Sequence, residues 1–482
     1  MTTTGMVTRA ERIDAVDVAR GLALLGIFLV NVRFFSEPFG SFLEMRPTGS
    51  LGDQIVHVFV QVVCLGKFYS LFSLLFGVGF ALQRARVTTR TEPGRSWAWL
   101  YSRRLLFLLM AGVFHALFFW YGDILFTYAV AGFVLLACGS LKPRTLALLG
   151  VGVLAFSMLL SVGFAALNEL GRVQQPRTSA QGEPAPTPAD AGNTVEQDAP
   201  PSADATPDPD TPEHADPDAS TATIEIAVPQ GAPAGPTPGS FEATPFGRLI
   251  KGFQSGQVQQ PDHPIWMQAE TEAYRDGPYD QVFYFRALSW VFILIVTMFG
   301  FGWSVIGMML LGAALAKGGL LGAVHAPFHR RLAIIGLSVG LACAGAASAI
   351  ISTSSGTVPM MLYTLFQGLA GPLVALGILG GICVLVQARR ARALTGLLAC
   401  TGRMAFSNYL LQTLVATTTF YFYGLGLFGS FSRVEQTVFV LAVYACQLVF
   451  SGMWMRFFTM GPLEWVWRWW TYLARPALLR VG

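Results

Sequence analysis

IDAVDVARGLALLGIFLVN, residues Ile13–Asn31, decides how the rest of the chain is read. An acidic residue and an arginine, Asp17 and Arg20, stand one helical turn apart where a long apolar run begins, and Asn31 sits deep within that run. Arg20 and Asn31 are eleven residues apart. On a helix that is about three turns, so the two share a face, about 16 Å apart along the axis. Polar groups on an apolar membrane helix face a protein interior or a water-filled cavity. The spacing therefore predicts a membrane helix that lines something.

Composition agrees with that reading. The 482 residues are 53% hydrophobic and only 12% charged, with a mean hydropathy of +0.52. Soluble domains carry about 25% charged residues. A bilayer core needs about 20 helical residues to cross, and ten runs qualify: Gly21–Phe35 (extended inward by Ala15–Ala19), Leu65–Leu82, Leu105–Tyr121, Ile124–Ser140, Leu146–Leu167, Ala287–Ala316, Leu332–Ile351, Met361–Val386, Met404–Phe428 and Thr437–Phe458. Backbone groups find no water partner in lipid, so these runs must be helices. The fold class expected is all-α, a polytopic helical bundle of about ten transmembrane helices.

Charge orients the bundle. Of the 32 Lys and Arg, 22 fall on one alternating set of loops and helix ends. The positive-inside rule places that set, and both termini, in the cytoplasm, as an even number of crossings requires. The expected location is the cytoplasmic membrane, with the lipid bilayer as the main partner and no nucleic acid. Acidic residues segregate instead: 18 of 28 lie between Glu169 and Asp280. Gln174–Pro245 is rich in Pro, Ala, Thr, Asp and Gly, a composition that cannot offset its ordering entropy and predicts disorder. Phe246–Tyr284 regains aromatics and predicts a short surface helix. The chain divides accordingly into an N-terminal membrane half (1–168), an outer acidic insertion (169–285), a C-terminal membrane half (286–460) and an interfacial aromatic segment (461–482).

Nucleotide and metal chemistry leave no trace. There is no Walker A loop, Rossmann fingerprint or GxSxG elbow, and no His/Cys/carboxylate cluster with zinc spacing. No metal and no permanently bound cofactor are expected. The six cysteines lie in or beside six different apolar runs and read as small hydrophobes. What remains is a set of polar residues at two depths. Asp17, Arg20, Arg403, Asn408 and Gln412 belong to the inner half, and Asn31, Lys67, Tyr69, His115 and Asp123 to the outer half. The plainer alternatives are an Asp17–Arg20 pair holding a helix end, Asn408 and Gln412 as hydrogen-bond glue between helices, and His115 as a satisfied core histidine. Glu464 and Arg468 stand i, i+4 in the interfacial aromatic segment and predict a pair.

The chain resembles the YeiB-like family of bacterial membrane proteins. The resemblance is carried by Ile13–Asn31, GKFYSLFSLLFGVGFAL (Gly66–Leu82), RRLLFLLMAGVFHALFFWYGDILFTYA (Arg103–Ala129), GRMAFSNYLLQT (Gly402–Thr413), GLGLFG (Gly424–Gly429) and GPLEWVWRWWTY (Gly461–Tyr472). The acidic insertion is not part of that pattern. A more distant likeness, over the first four helices, is to transmembrane acyltransferases of the type 3 and heparan-alpha-glucosaminide N-acetyltransferase groups. It implies transfer of an acyl group from a cytoplasmic acyl-CoA (acetyl-CoA) donor to a cell-envelope glycan or glycolipid acceptor. Many type 3 members have a histidine where this chain has Asn31, so His115, oriented by Asp123, becomes the candidate base. Arg20 and Arg403 would hold donor phosphates, and Asn31 or Lys67 would stabilise an oxyanion. The alternatives are a transporter or exporter of a small or lipid-linked solute, and a non-catalytic membrane scaffold.

Overall fold

The computed structural model describes residues 14–90, 97–174, 240–322 and 325–480. Gln174–Pro245, expected to be disordered, lies almost wholly outside the described residues. Helices follow in the order α1 (Asp14–Ser36), α2 (Leu51–Phe59), α3 (Lys67–Arg90), α4 (Trp97–Phe118), α5 (Leu125–Ala137), α6 (Pro143–Gln174), α7 (Pro245–Gln254) and α8 (Pro264–Asp276). Then come α9 (Tyr279–Phe299), α10 (Phe301–Lys317), α11 (Ala326–Thr353), α12 (Thr357–Gln387), α13 (Arg392–Arg403), α14 (Ala405–Phe420), α15 (Arg433–Phe457) and α16 (Pro462–Tyr472). Among the described residues there is no strand beyond one isolated bridge, Phe458 to Leu479. The protein is an all-α polytopic bundle.

Among the described residues eight helices are long and apolar enough to cross a membrane, and α5 and α10 are shorter apolar ones. An apolar helix gains as much from lipid as from protein, so packing must decide which one is central. It is α1, whose apolar stretch is 72% buried, against 17% for α6 and 28% for α9, α11 and α15. Small residues let its neighbours in. A Cβ on Gly21 would stand 2.1 Å from the Leu398 carbonyl oxygen, and one on Gly402 would stand 1.9 Å from that of Asp17. Helices α1 and α13 therefore touch backbone to backbone, which only glycine permits at these two positions.

Three expected spans differ in form. Ala287–Ala316 is not one helix: it breaks at Gly300 (φ −138°, ψ −110°) into α9 and α10. The Gly300 carbonyl at the break accepts from Ser157 Oγ at 3.0 Å, the kind of side-chain bond that supports a broken membrane helix. The break leaves the end-to-end path intact. Tyr279, opening α9, bonds the Phe118 carbonyl at the end of α4, whereas Lys317, closing α10, bonds the Gly139 and Leu141 carbonyls beyond the far end of α5. Leu65–Leu82 is preceded by α2, too short an apolar segment to register as a span of its own. Met404–Phe428 is helical only as far as Phe420, after which turns lead to Gly429, whose N–H bonds the Ser36 carbonyl at 2.7 Å. Val16 and Tyr472 border one cavity, so the described chain begins and finishes at the same end of the bundle.

At the opposite end the expected surface helix is two helices, α7 and α8, followed by the start of α9. This layer is tied down by Glu270, whose Oε2 accepts from the Phe39 N–H (3.0 Å) and Trp266 Nε1 (3.2 Å). Burial pushes the Glu270 carboxyl up to about 8, against the pull of those two hydrogen bonds. The folded protein thus keeps a proton that the unfolded chain releases above about 4.5. Stability contributed here is greatest below that value, falls as pH rises, and levels off above about 8. The thermal midpoint of the detergent-solubilised protein should decline over that window, and Glu270→Gln, which keeps the acceptor oxygen, should flatten the decline. An equal slope in the variant would assign the titration to another group.

Candidate functional site

Helix α1 enters the bundle with Arg20 flanked by its own turn and by α3. Its Nη1 reaches Asp17 Oδ1 at 3.4 Å and its Nη2 reaches the Leu75 carbonyl at 3.4 Å. The guanidinium can lie across α3 because residue 79, one turn on, is glycine; a Cβ there would stand 2.9 Å from Nη2. Arg104 on α4 donates to Gln83 Oε1 (3.1 Å) and stacks 4.0 Å above the Trp467 ring. Trp467 Nε1 in turn donates to the Arg104 carbonyl at 3.0 Å. Arg403 ends α13, where a cation meets the partial negative charge of the helix terminus.

These side chains border a cavity of about 270 Å³. Five arginines line it (Arg20, Arg86, Arg104, Arg403 and Arg468) against two carboxylates, Asp17 and Glu464. Away from the arginines the walls turn apolar, with Ile27, Phe72, Phe76, Leu108 and Leu125. Such a space suits an anionic group at one end and an apolar arm at the other. Glu464 has a role that its spacing to Arg468 concealed. Its carboxylate accepts from the Phe406 N–H (2.7 Å), the Ser407 N–H (3.1 Å) and the Ser407 hydroxyl, and so caps α14. Burial pushes this carboxyl up, against the hydrogen bonds from Ser407 and Phe406.

His115 and Asp123 are joined as expected, at 2.8 Å between Nδ1 and Oδ2. Asp123 Oδ1 also accepts the Phe126 N–H at 2.9 Å, fixing the carboxylate at the start of α5. The far ring nitrogen, Nε2, stands 3.0 Å from Thr413 Oγ1 on α14. A carboxylate on Nδ1 selects the tautomer whose Nε2 accepts, so the line runs from the Thr413 hydroxyl through the imidazole to Asp123. His115 is buried and does not border the cavity. Between them stands Tyr409, which lines the cavity and packs 5.5 Å from the imidazole, ring centre to ring centre. Ile124 and Leu125, the residues after Asp123, line it too.

The structure therefore brings together Asp17, Arg20 and Arg403 in one wall and sets His115 and Asp123 one side chain behind it. It does not bring in the others. Asn31 is half-buried and not part of the lining, which reaches only Ile27 on its helix. Lys67 is buried elsewhere, donating to the Gln61 carbonyl (3.0 Å) and Gln367 Oε1 (2.8 Å). Tyr69 packs against Phe301 at 5.7 Å. Asn408 donates to Ser451 Oγ (3.0 Å) and Gln412 to Gln447 Oε1 (2.9 Å), so both serve as glue between α14 and α15. Arg86, Arg104, Arg468, Tyr409 and Thr413 were absent from the expected set. Only Arg104 left a sequence signal, standing eleven residues before His115 and so on its helix face.

The family described as "Protein of unknown function (DUF418)" matches residues 315–474. That stretch holds α11 to α16 and hence Arg403, Tyr409, Thr413, Glu464 and Arg468. The chain is 28% identical over 480 residues to the uncharacterized protein YxaH of Bacillus subtilis, covering 96% of this chain and 95% of the relative. It is 28% identical over 478 residues to the uncharacterized protein YeiB of Escherichia coli, covering 98% and 100%. An uncharacterized 39.9 kDa protein from the amylase 3′ region of Bacillus acidopullulyticus is 26% identical, covering 98% and 97%. No solved structure matches the chain significantly.

Proposed function

The chain is a YeiB-like multi-pass membrane protein, and from that premise we propose that it transfers an acyl group from a cytoplasmic acyl-CoA-type donor to an acceptor on the far side of the bacterial cytoplasmic membrane. The observation that supports this reading is the cavity itself: five arginines at the basic end, an apolar arm, and the His115–Asp123 pair directly behind its wall. Guanidinium groups bind phosphate oxygens through charge-assisted, often bidentate bonds. The apolar arm takes the acyl-bearing end. Rotation of Tyr409 then opens the wall between the donor and His115. Asp123 holds the imidazole so that Nε2 receives the proton of the acceptor, a hydroxyl or amine of a cell-envelope glycan or glycolipid, as its oxygen or nitrogen bonds the acyl carbon. The thioester carbon–sulfur bond breaks, and coenzyme A leaves as the thiol with the proton returned from Nε2.

Arg20→Gln should weaken coenzyme A binding by about 10- to 100-fold, because hydrogen bonds to charged groups contribute roughly 1.5–3 kcal/mol. Isothermal titration of the detergent-solubilised protein with coenzyme A reads this directly. Wild-type protein with no measurable binding would overturn the reading. An exporter of a phosphorylated solute is favoured by a different observation, the second buried polar cluster of Gln61, Lys67 and Gln367. Labelled acetyl-CoA separates the two, since an exporter does not consume it.

A further inference from the structure

Arg286, near the start of α9 and away from the cavity, has no exposed surface. Its Nη1 donates to the Leu117 carbonyl (3.1 Å) and to the Tyr279 hydroxyl (3.3 Å), at the C-terminal end of α4. Those contacts use one nitrogen. Nε and Nη2 are buried without a hydrogen-bond partner, and so are the hydroxyls of Tyr274 and Tyr421. The four groups converge. The Tyr274 and Tyr421 ring centres are 4.7 Å apart, and the guanidinium carbon lies 6.0 Å from the Tyr421 ring centre. Among the described residues no carboxylate forms an ion pair with Arg286. Glu270 stands one turn before Tyr274; its Oε2 is engaged by Phe39 and Trp266, and its Oε1 is buried and makes no hydrogen bond to either tyrosine or to Arg286.

Each of the four groups has a proton to donate, and the Tyr274 oxygen also faces the guanidinium. Buried donors without an acceptor are costly, and a buried cation without a counter-charge more so. The faces of Tyr279 and Tyr421 attract the guanidinium, yet they leave both hydroxyl protons without an acceptor. A water would accept two bonds but would bring two more donors and no charge. A compact anion accepts from all four groups and cancels the charge. We propose that a small monovalent anion of the halide class binds between Arg286, Tyr274 and Tyr421. It joins α8, the start of α9 and the turn after α14, and so fastens the outer helical layer to the bundle.

The test is thermal unfolding of the full-length protein in detergent, with sodium chloride or bromide titrated against sodium gluconate at constant ionic strength. Chloride and bromide should raise the midpoint saturably. In the Tyr274→Phe/Tyr421→Phe double variant, which keeps both rings and loses only the hydroxyls, the halide concentration for half the rise should increase about tenfold or more, the effect of two lost hydrogen bonds. Arg286→Gln should abolish the response. If Arg286→Gln does not fold, the double variant decides the matter. Identical midpoints in chloride and gluconate would overturn the proposal. So would a double variant with the wild-type halide response, which would mark the effect as general ionic screening.

Discussion

His115→Ala should lower acyl transfer by about 10²- to 10⁴-fold, the range for a positioned general base, while coenzyme A binding stays at the wild-type level. The separation follows from placement. The arginines that would hold phosphates line the cavity, whereas His115 lies behind Tyr409 and touches none of the lining arginines through a hydrogen bond. Removing a buried imidazole leaves a hole and an unpaired Asp123, so a second variant guards against simple unfolding. His115→Gln keeps a group that donates toward Asp123 but no nitrogen able to take a proton, and it should fold and be equally inactive. Turnover of labelled acetyl-CoA, read beside calorimetric binding of coenzyme A, gives both quantities from one preparation. Full turnover in either variant would remove His115 from the mechanism.

Gly402→Val should cost more than about 3 kcal/mol, beyond the usual range for an overpacked core. The added carbon would meet the Asp17 carbonyl oxygen at 1.9 Å, and the obstacle is backbone rather than a side chain that could rotate away. Helices α1 and α13 must therefore part. That motion carries Asp17, Arg20 and Arg403 with it, so coenzyme A binding should be lost along with stability. Gly396→Ala lies on the same helix with nothing within 4 Å of the added carbon, and it should leave the thermal midpoint unchanged or raise it slightly. A Gly402→Val protein that melts like the wild type would show that the two helices do not depend on this contact.

Hydropathy made the spans legible because lipid imposes one rule along an entire helix. It did not reveal α2, which is too short for that rule, or the break at Gly300, because a glycine flanked by apolar residues looks the same in a straight helix. The Asp17–Arg20 pair was readable from local spacing, and the structure places the two 3.4 Å apart. Asn31 lies outside the cavity lining for an instructive reason. Periodicity tells which face a residue shares, but the depth of a cavity depends on the side chains that close it, and here the lining stops at Ile27. Arg86, Arg104 and Arg468 sit on three different helices, α3, α4 and α16, in basic stretches of the kind that ordinarily mark an interface. Only the fold brings them to one point. Thr413 was hidden for the same reason: it lies 298 residues from the histidine that it faces.

The cap that Glu464 places on α14 has a consequence in time. The carboxylate and the Phe406 amide that it binds are 58 residues apart in the chain. During synthesis α14 is made before α16. Through that interval the first amides of α14 have no Glu464, and Arg104 has no Trp467 ring against it. The basic cavity is then open on one side to lipid or solvent. Arrival of α16 supplies the cap, the stacking partner and a further part of the wall together, so the basic cavity closes only when α16 is in place.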